Sequence, residues 1–181
     1  MIRTGELAKD FRFGDLKGNS FMLSDLKGKK IMLSFFRNGA CALCNLRIHE
    51  LIRSFSELKD LIQILAIFES GKEDMLPFVG KQSPPFPLIP DPEAKIFDLY
   101  ELESSPEKIK NSMNSEAVHE KIREAEQAGF PLRRQEGSNF DRLPAEFLID
   151  ENLVIRRVLY SELVGDHFSI EEIRKWISEK S

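Results

Sequence analysis

Two short apolar runs, Lys30 to Phe36 (KIMLSFF) and Leu61 to Phe68 (LIQILAIF), bracket a stretch from Cys41 to Lys59 that contains neither Gly nor Pro. Runs this short and this uniformly apolar read as strands covered on both faces. Between them Ile48, Leu51, Ile52, Phe55 and Leu58 recur at helical spacing. Strand, helix and strand in one sheet make a right-handed crossover, so the chain is expected to build a parallel βαβ unit with helices laid on a sheet.

The flanking segments extend that unit. Asp10 to Asp15 and Ser20 to Leu23 flank the turn signature Lys17-Gly18-Asn19 and predict an opening β-hairpin, followed by a helical turn over Ser24 to Gly28. Gly71 to Gly80 reads as a short helix interrupted near Pro77, and the Pro-rich Ser83 to Pro92 as a loop around a short strand at Leu88 and Ile89. Asp91-Pro92 opens a helix to about Leu99, with Asp as N-cap and Pro in the first helical position. Ser105 to Ala128 reads as one helix with Ile109, Met113, Ala117, Ile122 and Ala125 on a narrow apolar side, a surface helix or a partner-binding face. After a polar loop from Pro131 to Asp141, PAEFLID and LVIRRVLY form a second hairpin. Ser169 to Lys180 closes the chain as a helix with Ile170, Ile173, Trp176 and Ile177 inward.

A chain of 181 residues is long enough for one domain with a proper core and too short to need two, so residues 1–181 are expected to form a single domain. Lys and Arg are interleaved with Asp and Glu, and the net charge is -4, which argues against a nucleic-acid partner. The opening MIRTGELAKDF has no apolar core of a signal peptide and no window approaches a membrane span, so a cytoplasmic protein without membrane attachment is expected.

The chain's only two cysteines, Cys41 and Cys44, stand together where the first strand gives way to the long helix. Two are too few for a disulfide scaffold, and a close pair in a reducing compartment points to catalysis or metal binding. Loops at the carboxyl ends of parallel strands are where ligands meet helix N-termini. The first amides of a helix have no intrahelical partner and favour a thiolate over a thiol, which draws a cysteine from about 8.5 into the range of roughly 3.5 to 7.5. Cys44 lies four residues before Ile48, on the stripe that packs against the sheet, so it is expected to be the more buried. Cys41, at the helix mouth, is expected to be the more exposed. A separation of three residues lets the sulfurs bond, with Cys41 attacking and Cys44 resolving. Arg37, in the loop that delivers Cys41, is the expected support of the thiolate, whereas Arg47 carries no assigned role.

Other uses of the pair remain to be weighed. Haem attachment requires His after the second cysteine, where Asn45 stands. A structural zinc site needs four ligands, and only the scattered His49, His119 and His167 could complete one. Two inert, packed cysteines are the plain alternative. His49 reads as a surface or packing histidine.

The run Phe36-Arg37-Asn38-Gly39-Ala40-Cys41-Ala42-Leu43-Cys44 resembles the active-site segment of the peroxiredoxin-like, AhpC/TSA branch of the thioredoxin-fold superfamily. The likeness extends to Leu23 through Gly28, to Ile89-Pro90-Asp91-Pro92 through Tyr100, and to Arg142 through Asp150. Only Ser105 to Asp141 stands outside it. The resemblance implies an α/β, thioredoxin-like fold: a mixed central β-sheet flanked by helices, with an N-terminal β-hairpin extension and a helical insertion before the strand that bears the family's cis-proline. It implies a cis Leu143-Pro144 bond beside the cysteines, and it puts Gly39, Ala40, Pro144 and Ala145 on the substrate side. Departures bear on mechanism. Against the peroxiredoxin pattern Pro-x-x-x-Thr-x-x-Cys, Arg37 replaces Pro, Cys41 replaces Thr and Cys44 falls on the peroxide-reacting cysteine. Pro144 stands where that family places its peroxide-binding Arg. Thioredoxin logic names Cys41 as attacker and peroxiredoxin logic names Cys44; the exposure argument favours Cys41.

The function so implied is a thiol oxidoreductase cycling Cys41 and Cys44 between dithiol and disulfide, without a bound cofactor or metal. Its substrate would be a hydroperoxide or a protein disulfide, its reductant of the thioredoxin or glutathione type, and the resemblance leaves room for a homodimer. An extended substrate could pair beside Pro144. The contrasting reading is a redox-silent binding module that docks through Ser105 to Ala128.

Overall fold

The computed structural model describes residues 1–179. Its centre is a five-stranded mixed sheet, in the order β5-β4-β3-β6-β7. β3 (Ile31–Phe36), β4 (Gln63–Phe68) and β5 (Leu88–Pro90) run parallel, and β6 (Ala145–Ile149) and β7 (Ile155–Tyr160) continue the sheet antiparallel. The crossover from β3 to β4 is α1 (Ala42–Leu58), which makes this pair the expected βαβ unit. Every residue of β3 is buried. Its alternate side chains divide between two cores, Met32 and Phe36 with α1, and Ile31, Leu33 and Phe35 with the opposite face.

That opposite face is covered by the N-terminal hairpin, β1 (Arg12–Gly14) and β2 (Ser20–Met22), and by α3 (Lys95–Leu99). Aromatic contacts lock it: Phe35 meets Phe97 edge-on at 5.1 Å and Tyr100 at a tilt at 5.3 Å between ring centroids. Between β4 and β5 lie α2 (Lys72–Met75) and a 3-10 turn over Val79–Gln82. On the first face α6 (Ile170–Ser178) sends Ile173 and Trp176 into the core beside α1. Lys180, the last residue of the closing helix expected from the sequence, lies outside the described residues.

Two expected helices differ. The helix expected at Asp91 begins at Lys95, because the Asp91 carboxylate does not cap its immediate neighbours but accepts the N–H groups of Lys95, Ile96 and Phe97 at 3.0, 2.7 and 3.2 Å across an intervening turn. The single helix expected over Ser105 to Ala128 is two, α4 (Pro106–Met113) and α5 (Glu116–Gln127). The break falls at Asn114-Ser115, residues whose side chains favour caps over helix interiors. The break changes which face is apolar: in α5 Val118 and Ala125 are buried, and Ala117, expected on the stripe, is exposed. The apolar side of the pair is largely occupied: Val118 and Ala125 are buried in the core that α1 shares, and Ile109 and Ile122 pack against it, while Met113 borders a cavity beside the start of α1. Both ends of this excursion meet at a bridge between Ser104 and Arg142, where Ser105 N–H donates to the Asp141 carbonyl at 2.7 Å. Arg142 is held there by the Glu69 carboxylate at 2.6 Å and the Leu102 carbonyl at 2.6 Å.

Candidate functional site

The loop between β3 and α1 is fixed by hydrogen bonds to its backbone, most of them made with side chains. Cys41 N–H donates to the Asn38 carbonyl at 3.2 Å, Ala40 N–H to Asn38 Oδ1 at 3.2 Å, and Gly39 N–H to Ser70 Oγ at 3.1 Å. Asn45, one turn into α1, reaches back to the carbonyls of Gly39 and Cys41 at 2.9 and 3.0 Å, and Gln82 holds Asn45 in turn. Gly39 is required for space: a Cβ there would lie 2.8 Å from Met75 Cα and 2.9 Å from the Asp74 carbonyl. The turn can press against α2 only without a side chain.

This framework makes Cys41 the N-cap of α1, with its sulfur as the capping acceptor. Cys44 N–H donates to Cys41 Sγ at 3.4 Å. No acidic residue stands in the first turn of α1 to compete for the free amides. Both cysteines are free thiols, and they are electrostatically unequal. The thiol of Cys44 donates to the Cys41 sulfur, the Arg37 guanidinium adds positive charge, and the amides of Cys44 and Leu43 point at it; together they outweigh burial and bring Cys41 from the ordinary 9.0 down to about 6. Burial pushes Cys44 well above its ordinary value, and the neighbouring Cys41 thiolate pushes it further. At neutral pH one sulfur is therefore an anion and the other its proton-bearing donor.

Cys41 is the more accessible of the two, as expected from the helix register, but only at 8% against 3%. The exposed thiol expected at the helix mouth is in fact covered, and the physical reason is the excursion of α4 and α5. Above Cys41 lies a cavity of about 210 Å³ whose walls include Ile109 and Met113 of α4, Ile122 of α5, and Leu132, Phe140 and Val164. Arg37 also lines it, as the sequence reading placed it. Its Nη2 donates to the Phe140 carbonyl at 2.6 Å, while its buried Nε has no partner among the described residues.

The other expected site residues divide. Ala40 borders a second cavity of about 270 Å³ with Phe78, Gln82 and Arg133, whereas the backbone N–H and carbonyl of Gly39 are occupied within the loop. No cis peptide bond occurs among the described residues, so the expected cis Leu143-Pro144 bond is corrected to trans. Trans is the ordinary preference of an X–Pro bond, and here the Pro144 carbonyl is already taken by Ser161 N–H at 3.2 Å. Ala145 pairs with Phe35 on one side and Tyr160 on the other. Neither Pro144 nor Ala145 lines the cavity at Cys41, and the backbone beside them offers no open edge to an extended substrate.

Sequence reasoning passed over Glu146. It is fully buried in β6, opposite Ser34, and its carboxylate accepts from Ser34 Oγ at 3.0 Å and Phe168 N–H at 2.8 Å, with His167 Nδ1 at 3.0 Å and Arg47 Nη2 at 3.4 Å. Burial opposes its charge, but Arg47 and His167 prevail and hold Glu146 down to about 2. Arg47 thus serves this buried cluster, and its guanidinium also donates to the Phe168 carbonyl at 2.7 Å. The signal was present as a lone Glu inside PAEFLID, a charged side chain in an otherwise apolar strand. His49 meets Phe130 edge-on at 5.8 Å, a packing contact. Among the described residues no three His, Cys, Asp or Glu side chains gather to hold a metal.

No curated protein matches this sequence. Among solved structures the fold is similar to that of peroxidoxin BcpB from Mycobacterium tuberculosis, with a TM-score of 0.60 at 17% identity, covering 98% of this chain and 96% of that one. It is similar to the thioredoxin domain of a thiol-disulfide oxidoreductase from Bacteroides vulgatus, with a TM-score of 0.58 at 18% identity over 98% and 100% of the two chains. A variant of peroxiredoxin 6 from Arenicola marina gives 0.70 at 14% identity over 98% and 72%. Identities this low speak for the fold alone. The AhpC/TSA family profile matches residues 4–158, which include the βαβ unit, both cysteines, β6 and the first four residues of β7. A thioredoxin-like sheet with an activated Cys-x-x-Cys pair at the mouth of its first long helix, and a family match over most of its length, make this chain a thiol oxidoreductase that belongs to the AhpC/TSA family.

Proposed function

We propose that the protein reduces hydroperoxides, with Cys41 as the attacking thiolate and Cys44 as the resolving thiol. The observation that carries this reading is the inequality of the two sulfurs, one lowered to about 6 and the other raised. The Cys41 thiolate attacks the terminal oxygen of the hydroperoxide, a sulfur–oxygen bond forms, the oxygen–oxygen bond breaks, and the leaving alkoxide takes a proton from solvent. Cys41 is then a sulfenic acid, oxidised by two electrons. Cys44, deprotonating as it attacks, forms the disulfide and releases water. A thiol reductant of the thioredoxin or glutathione type returns both thiols with its own two electrons.

The second reading, a protein disulfide reductase, draws on the same activated Cys-x-x-Cys pair. The roof over Cys41 and the paired backbone of Pro144 and Ala145 weigh against it, because a folded partner's disulfide must reach an 8% exposed thiol. The two separate in one experiment. The reduced protein is given a hydroperoxide in one vessel and insulin in the other; the peroxidase reading expects rapid consumption of the hydroperoxide, loss of it in Cys41→Ser, and a trappable Cys41 sulfenic acid in Cys44→Ser. Turnover of insulin with no peroxide consumption would decide for the reductase.

A further inference from the structure

We infer that the cavity of about 270 Å³ beside Ala40 docks the carboxylate end of the small thiol that reduces the Cys41–Cys44 disulfide, with Lys81 and Arg133 as the cations that receive it. This inference deepens the peroxidase reading and rests on the disulfide that closes that cycle. Three observations converge. The first is charge: Lys81 and Arg133 line the cavity and no carboxylate among the described residues does, in a protein of net charge -4. Cavities elsewhere on the described surface set an acid beside their cations, Asp15 beside Lys17 and Glu50 beside Arg47. The second is position, because Arg133 also lines the cavity over Cys41 and Ala40 adjoins Cys41 in the chain, so the two cavities meet at one guanidinium. The third is an orphan acceptor in the same wall. Gln82 commits its Nε2 to the Asn45 carbonyl and Oδ1 at 3.0 Å each, and its buried Oε1 has no donor among the described residues. Two cations and an acceptor wanting an N–H describe a thiol whose acid is joined through an amide, a thiol peptide.

The Arg133 guanidinium is held in place over the Phe78 ring at 5.7 Å, so the site is partly formed before a ligand arrives. The volume lies just under the roughly 300 to 1,000 Å³ of small-molecule sites, room for one end of such a thiol while its sulfur enters the neighbouring cavity. Cys41 lines that neighbouring cavity and Cys44 does not, so attack falls on Cys41. The thiolate of the reductant forms a bond to the Cys41 sulfur, the Cys41–Cys44 bond breaks, and Cys44 leaves and takes a proton. A second molecule of the thiol attacks the reductant's sulfur in the mixed disulfide and expels the Cys41 thiolate, a good leaving group at about 6. Two thiols thus give up two electrons and leave as their own disulfide.

The test starts from protein whose disulfide has been formed with diamide, so it does not depend on turnover of a peroxide. Glutathione, its diethyl ester and 2-mercaptoethanol are compared as reductants by counting regained protein thiols by mass after alkylation, each rate divided by that thiol's rate with hydroxyethyl disulfide. Glutathione should exceed both uncharged thiols by about tenfold, the combined worth of two exposed cations, and the advantage should shrink as salt is added. Lys81→Gln and Arg133→Gln should each cut the ratio by roughly threefold to fivefold and together bring it to about one, whereas Lys81→Arg should keep it. A ratio of one in the unaltered protein, a ratio that the paired variant leaves intact, or reduction by thioredoxin with none by glutathione would overturn the docking site. Each of those results leaves the peroxidase reading standing; failure of a hydroperoxide to form the disulfide that diamide forms would overturn that reading alone. If neither oxidant joins Cys41 to Cys44, both fall.

Discussion

Replacing Cys44 by Ala removes the strongest donor to the Cys41 sulfur and leaves the helix amides and Arg37 in place. A hydrogen bond to a charged acceptor contributes about 1.5 to 3 kcal/mol, so the Cys41 midpoint should climb from about 6 to roughly 7 to 8. The consequence for rate is less obvious. Taking a rise of about 1.5 as the middle case, the anionic fraction at pH 7 falls from about nine-tenths to about a quarter, while the more basic thiolate becomes roughly fivefold more nucleophilic. These nearly cancel. The reaction of Cys41 with a small neutral disulfide should therefore change little at pH 7, slow about fivefold at pH 5.5 and quicken about fivefold at pH 9. Cys44→Ser is the control, since its hydroxyl can still donate and should keep the midpoint close to that of the unaltered protein. Thiolate absorbance against pH gives the midpoints, and the disulfide reaction gives the rates. A midpoint near 6 in Cys44→Ala would refute the reasoning, and would assign the anion to the helix amides and Arg37 alone.

Two further outcomes follow from the geometry. Glu146 is held at about 2 in the folded protein against 4.5 ordinarily, so its stabilising share is complete above pH 4.5 and is lost as pH falls through 2; the drop is about 3 kcal/mol. Glu146→Gln should lower stability at pH 7 by about 3 to 5 kcal/mol, by leaving the buried Arg47 without this counter-charge, and should flatten the acid limb of a urea-denaturation series between pH 4.5 and 2. Gly39→Ala forces a methyl group to within 2.8 Å of the α2 backbone and should cost about 1 to 3 kcal/mol in thermal unfolding; it should also raise the Cys41 midpoint, because the turn that presents the sulfur to the amides must shift. An unshifted midpoint in a destabilised Gly39→Ala protein would separate the turn's packing from its electrostatic role.

Much of the site was legible in the chain because its physics is local. Cys41 at the helix mouth, Cys44 on the inner stripe and Arg37 in the preceding loop all follow from the helix start and a period of 3.6, and the structure arranges them so, with Cys41 as the N-cap. The helix expected at Asp91 was displaced because a capping carboxylate can serve amides several residues on, a choice between local geometries that spacing leaves open. The break at Asn114-Ser115 was written in residues that favour caps, but the apolar stripe at Ile109, Met113 and Ile122 masked it. Glu146 stood out as a charge in a buried strand, yet its partners come from α1 and from the segment before α6, at sequence separations of 99 and 21 residues.

By itself the amino-acid order determined the strands, the long helix and the two thiols at its mouth, since each depends on neighbours within a few positions. Only the tertiary structure decided that Cys41 lies under a roof, that Pro144 is trans with its carbonyl taken, and that Arg47 serves Glu146. Those outcomes turn on contacts between segments far apart in the chain, where burial and charge are set by whatever the fold brings alongside.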